Sequence, residues 1–159
     1  MRRASGAHLG SIWEGTSNIV ALDVLRAITR EGSLPALRAH LEGLLRESPL
    51  HAQAREVFAR TLARVCALAA QVAGLGAAGE PQARSAASAL YHLSSSVAMA
   101  WEAGQSQSAR RMLLAQGVVL HRLLPRDPLA ESNLPDAMFS LLDAAFDASP
   151  PRVEDINLF

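Results

Sequence analysis

The sequence predicts an all-α fold, an antiparallel helical bundle, on three observations. Half of the 159 residues are hydrophobic but only 4% are aromatic, and alanine and leucine dominate the apolar share. That composition favours helices packed on helices over sheets, which draw on β-branched and aromatic residues. Apolar residues recur at three- and four-residue steps along most of the chain, and the breaks between these runs are short, as between antiparallel neighbours in a bundle.

Each helix has a local reason. Thr16 or Ser17 caps a first helix running to about Arg30, and Gly32 supplies the left-handed position that ends it. Ser33, with Pro35 in the first turn, restarts the helix at once, with Leu34, Leu37, Leu41, Leu44 and Leu45 as its apolar stripe. Ser48-Pro49 breaks the chain before a longer helix, where Phe58, Leu62, Val65, Ala69 and Val72 share one face and Arg55, Arg60 and Arg64 lie on the polar face. After a break from Gly74 to Pro81, Ala86, Leu90, Leu93, Val97 and Trp101 mark a fourth helix that Gly104 ends. Ala109, Met112, Leu113, Leu120 and Leu123 mark a fifth. Beyond Leu124, five prolines leave room for one short amphipathic helix near 135–146, with Met138, Phe139, Leu142 and Phe146 on its face. The tail PPRVEDINLF reads as extended, with Ile156, Leu158 and Phe159 as docking residues. Residues 1–126 are thus expected to form the bundle and 127–159 a proline-interrupted extension.

The charge balance narrows the function. Lysine is absent, and fifteen arginines balance fifteen acids, so the chain lacks the positive surplus that grips phosphate backbones. One cysteine, Cys66, excludes an intrachain disulfide and suits a reducing compartment. No apolar run approaches the roughly 18 residues that span a bilayer, and the N-terminus lacks the apolar core of a signal peptide. The expectation is a cytoplasmic chain with no membrane partner.

Most apparent motifs dissolve on inspection. Gly74-Leu75-Gly76-Ala77-Ala78-Gly79 matches the dinucleotide-binding letters, but the pattern works only between a strand and a helix, and here it follows a helix. The histidines (His8, His40, His51, His92, His121) have no partners at metal-ligand spacing, so no metal is expected. Cys66 reads as a buried, inert thiol, and Ser94-Ser95-Ser96 as a close helix contact without a nucleophile elbow. Arg110, Arg111, Arg122 and Arg126, with Arg84, form the densest basic zone, best read as a solvated face with ion pairs. Trp101 and Tyr91 fit core or interface positions.

One stretch carries more. Ile12-Trp13-Glu14-Gly15-Thr16-Ser17-Asn18-Ile19, continued by Leu22-Asp23-Val24-Leu25-Arg26, resembles the segment near the C-terminal end of the flavin-dependent acyl-CoA dehydrogenase fold, where an aromatic-Glu-Gly-Thr/Ser element opens the penultimate core helix. Trp13 and the Leu-Asp-Val-Leu-Arg continuation resemble the AidB-type branch. About fifteen residues in register carry the match; beyond Ser33 the likeness is in helical texture and length. The family's N-terminal helical domain and middle β-domain have no counterpart upstream of Met1, so the resemblance implies the C-terminal portion of such a protein.

The resemblance also implies roles. Glu14 falls where relatives place the carboxylate that removes the α-proton of an acyl-CoA thioester, while the β-hydrogen leaves for the flavin. Gly15 and Thr16 match positions that approach FAD, Asn18 matches an amide position that touches the FAD of a neighbouring subunit, and Trp13 would line the acyl side of the pocket. Family members assemble as homo-oligomers, and the AidB-type branch is associated with nucleic-acid binding, which a net charge of zero would keep weak here. FAD is expected in the intact family protein and not tightly bound to this chain. Two readings of Glu14 stay open: a catalytic base, or a carboxylate favourably placed before a Thr/Ser cap, worth about 0.3–1 kcal/mol. The alternative to the flavoprotein portion is a free-standing helical oligomerisation or interaction module.

Overall fold

The computed structural model describes residues 17–125, 140, 143 and 151–159, and every regular element among them is helical. Helices α1 (Ser17–Glu31) and α2 (Ser33–Glu47) are joined by Gly32 alone, at φ 61° and ψ 32°. A side chain disfavours that left-handed conformation, so glycine lets the chain turn sharply without strain. On α2, Leu34, Leu41 and Leu45 are buried and Leu37 and Leu44 partly so, the stripe expected from spacing.

The break after α2 is closed by side chains. The Ser48 hydroxyl donates to the Leu44 carbonyl at 2.8 Å, and the Arg55 guanidinium donates to the carbonyls of Leu45 and Ser48 at 2.6 and 2.7 Å. Arg55 is therefore not a solvated residue of the polar face but a half-buried cap on the orphan acceptors of α2.

Helix α3 (Ala52–Gly74) starts at His51, whose ring nitrogen accepts the Gln53 N–H at 3.3 Å. Phe58, Leu62, Val65, Ala69 and Val72 are all buried, as their period requires. By length and composition α3 could cross a membrane, contrary to the reading that no run qualifies, but half of its apolar window is buried inside the bundle. Its apolarity serves the core.

Helix α4 (Glu80–Ser106) packs against α1, α2, α3 and α5 (Ala109–Val118) and is the hub of the bundle. It does not end at Gly104. It runs to Ser106, and Gln107 takes the left-handed position at φ 50°. Gly104 is needed for close approach, since a Cβ there would lie 2.6 Å from Pro49 Cδ. Trp101 is only half-buried, donating through Nε1 to Glu47 at 2.8 Å; Ala100 and Ala103 face the core instead. Tyr91 is exposed.

Helix α5 starts at Ser108, which accepts the Arg111 N–H at 3.3 Å, and continues as a π-helical turn, Val119–Leu123. The Leu124 N–H closes that turn on the Val119 carbonyl at 3.1 Å. Of the helix expected near 135–146, only Ser140 and Asp143 are described, both helical; its apolar face lies outside the described residues.

The tail docks as the sequence suggested, with a 3-10 turn at Val153–Asp155 before it extends. Val153, Ile156 and Leu158 join the main core, and Phe159 meets Phe58 edge to face at 6.4 Å. The fully buried Gln116 donates to the Ile156 carbonyl and accepts the Leu158 N–H, both at 2.8 Å. A second, smaller cluster joins Ala21 and Leu25 of α1 to Val72, Ala73, Ala83 and Ala86.

Candidate functional site

The family-like segment runs on into α1, and its part from Ser17 to Arg26 lies among the described residues. Trp13, Glu14, Gly15 and Thr16 lie outside them; Asn18 lies within, exposed in the first turn beside Ile19 and Val20, each 48% exposed. The helix opens at Ser17. The next turns bind α1 to the bundle: Ala21 and Leu25 are buried, Leu22, Val24 and Ile28 partly so. Asp23 and Arg26 pair at 2.6 Å on the outer face. One end of α1 is thus anchored and the other presents an amide and two aliphatic side chains to solvent, with the positive end of the helix dipole behind them.

Near the anchored part, Leu22, Leu25, Arg26, Thr29, Ala73, Gly76 and Glu80 line a shallow cleft of about 130 Å³. It borders the glycine-rich turn, where Gly76 sits at φ 57° and Gly79 is buried so closely that a Cβ would collide with the Val72 carbonyl oxygen. The glycines serve a helix-to-helix turn, and helix α3 rather than a strand leads directly into it; the dinucleotide pattern lacks its structural setting.

A larger cleft of about 280 Å³ lies between α3, α4 and the π-helical turn, lined by Thr61, Arg64, Val65, Leu68, Ala89, Arg122 and Leu123. Arg64 and Arg122 place two positive charges over an apolar floor. Sequence reasoning put Arg64 on a solvated face and Arg122 in the basic zone without joining them, because 58 positions separate the two (122 − 64). Of the rest of the basic zone, Arg111 pairs with Glu102 at 2.7 Å, as the ion-paired reading expects, and Arg126 lies outside the described residues.

The remaining candidates are quiet. Among the described residues no group of histidine, cysteine and carboxylate side chains could hold a metal ion. Cys66 is buried, and burial pushes its thiol above the ordinary range, with Arg38 pulling the other way and Glu42 adding to the rise. Protonated and inaccessible, it is no nucleophile. Ser96 is buried and donates to the Leu93 carbonyl at 2.8 Å, with Ser94 and Ser95 half-buried beside it.

No protein-family model matches the chain, and no curated protein or solved structure matches it either.

Proposed function

We propose that this chain is the C-terminal helical portion of an FAD-dependent acyl-CoA dehydrogenase-like protein. The observation that carries the reading is the exposed first turn of α1, directly after Trp13-Glu14-Gly15-Thr16: Asn18, Ile19 and Val20 all face solvent at the start of a helix whose next turns are anchored. An exposed amide beside aliphatic side chains fits the edge of a flavin, which offers polar ring atoms and apolar faces together. Asn18, with Gly15 and Thr16, would hold that edge. FAD, when bound, supplies the electron acceptor for α,β-dehydrogenation of an acyl-CoA thioester.

The work of the chain's own residues follows from acid–base chemistry. An α-proton next to a thioester is weakly acidic, so its removal needs a carboxylate held within hydrogen-bond reach and desolvated enough to raise its basicity. In this reading Glu14 has that role, and Trp13 would line the acyl side. The test is Glu14→Gln in the flavin-loaded protein. Flavin should stay bound, and bleaching of its absorbance by acyl-CoA should fall at least about 10²-fold, the scale of a lost general base. Unchanged bleaching would remove Glu14 from the chemistry.

A second reading, a helical interaction module with weak nucleic-acid binding, draws on Arg64 and Arg122 in their common cleft. Two such charges neutralise few phosphates, so duplex DNA should bind with Kd no tighter than about 10⁻⁶ M and weaken steeply with salt. Submicromolar binding that survives added salt, and is lost in Arg64→Ala/Arg122→Ala, would make this the better account.

A further inference from the structure

Among the described residues four polar side chains are buried: Ser48, Thr61, Ser96 and Gln116. Three are satisfied. Ser48 donates to the Leu44 carbonyl, Ser96 donates to the Leu93 carbonyl, and Gln116 bonds the backbone at Ile156 and Leu158. The Thr61 hydroxyl, in a residue 4% exposed, has no partner among the described residues. It does not even bond back to its own helix, as the hydroxyls of Thr29 and Ser106 do. No side-chain polar atom there is sealed off without a partner, so the Thr61 oxygen keeps its small open area in the cleft that the residue lines. What satisfies it has to come from whatever enters that cleft.

The cleft, of about 280 Å³, is polar at one end of its α3 wall and apolar at the other. Thr61, Arg64, Val65 and Leu68 fall at steps of three and four on α3 and share one face. From Thr61 to Leu68 that face runs about 10 Å, at 1.5 Å per residue. The π-helical turn adds Arg122 and Leu123, and Ala89 of α4, the smallest lining side chain, leaves the floor open. Arg26, Arg38 and Arg111 each pair with an acid, but Arg64 and Arg122 have no such partner among the described residues. The negative end of α5 favours a cation at position 122. Arg64 stands in mid-helix, where no such field accounts for it. Two unpaired cations beside apolar walls focus positive potential on the space between them.

We propose that this cleft binds a small amphiphilic carboxylate, of the class of short- to medium-chain fatty acids. A carboxylate has lone pairs enough for both guanidinium groups and the Thr61 hydroxyl, and its tail covers Val65, Leu68 and Leu123. Phosphate sites draw on backbone N–H groups at helix N-termini or glycine-rich turns, and neither lines this cleft. Its volume falls just below the range of about 300–1,000 Å³ that holds drug-sized ligands, so the ligand is small. The inference stands apart from both readings above: it needs no flavin, and a nucleic acid has no tail for the apolar floor.

The test is a titration of the whole chain with octanoate, followed by its amide proton–nitrogen NMR spectrum, beside octanol (tail without charge) and acetate (charge without tail). Octanoate should saturate with Kd below about 1 mM, the scale for a ligand of its size. The shifts should centre on residues 61–68, 89 and 119–123, and octanol and acetate should each bind at least about ten-fold more weakly. Arg64→Met/Arg122→Met changes two exposed residues and should weaken octanoate at least about ten-fold, the scale of lost hydrogen bonds to a charged group. Ala89→Leu should block the floor to the same extent. Thr61→Val should weaken binding while leaving the thermal midpoint of the free chain unchanged or higher, because it removes an unpaired hydroxyl. Octanoate that fails to saturate by about 10 mM, that shifts other residues instead, or that binds no better than octanol or acetate overturns the proposal. Binding left intact in the double arginine variant overturns it as well.

Discussion

The C-terminal segment and the first turn of α1 are both apolar stretches at the margin of the bundle, yet only one is covered. Val153, Ile156 and Leu158 are buried, with their backbone groups satisfied by a buried glutamine. Ile19 and Val20 each keep 48% of their surface in water. Burying an aliphatic side chain is worth about 1.5–3 kcal/mol, so the first stretch adds to the stability of the bundle and the second adds little. The apolar surface at the start of α1 serves something other than the described core, and it adjoins the one segment with a specific resemblance.

The sharpest way to break this contrast is to attack the covered side. Phe58 is fully buried and meets the Phe159 ring; Phe58→Ala should cost about 3–5 kcal/mol in urea denaturation and release the tail to proteolysis. A loss under about 1 kcal/mol would mean that the tail and core are not one unit. Gln116→Ala should cost about 2–4 kcal/mol, because the Ile156 carbonyl and Leu158 N–H lose their partner while still buried. Leucine at position 116 should rescue little of it, since volume is restored but not hydrogen bonding.

A smaller effect probes the middle of the core. Burial raises the Cys66 thiol above its ordinary value of 9.0, so the folded chain holds that proton more tightly than the unfolded one. Its contribution is fully present below pH 9.0 and is lost as pH rises through the raised value. Stability measured against pH should therefore fall more steeply above 9.0 in the native chain than in Cys66→Ala; parallel curves would show that the thiol titrates normally. The smallest effect belongs to the open side. Ile19→Asp and Val20→Asp should each change stability by no more than about 0.5 kcal/mol, and a loss above about 2 kcal/mol would show that the chain already buries them.

What the sequence disclosed and what it hid divide along the range of the interaction. The stripe Phe58, Leu62, Val65, Ala69, Val72 and the turn at Gly32 are written in neighbouring residues, and both were legible. Gly104 was misread as a helix end because its reason, the approach of Pro49, lies 55 positions away (104 − 49). Arg55 looked like one more cation on a polar face, since nothing local says that it caps the preceding helix. The tail's docking residues were legible from their apolar side chains, but Gln116 was not, because a polar residue on a helix gives no periodic signal of burial. Of the candidate site, Asn18 could be followed into the structure, where it is exposed at the start of α1. Trp13, Glu14, Gly15 and Thr16 lie outside the described residues, and their roles rest on the resemblance.

The most direct test of the central claim is the flavin content of the native polypeptide that carries this sequence. It can be captured from its source cells with an antibody against the exposed surface of α2 and α3, without overexpression. The account predicts a flavin-containing polypeptide whose yellow absorbance is bleached by acyl-CoA, with peptides of residues 17–125 in its tryptic digest. A colourless, flavin-free polypeptide of 16.9 kDa would contradict it and leave the helical interaction module as the function of this chain.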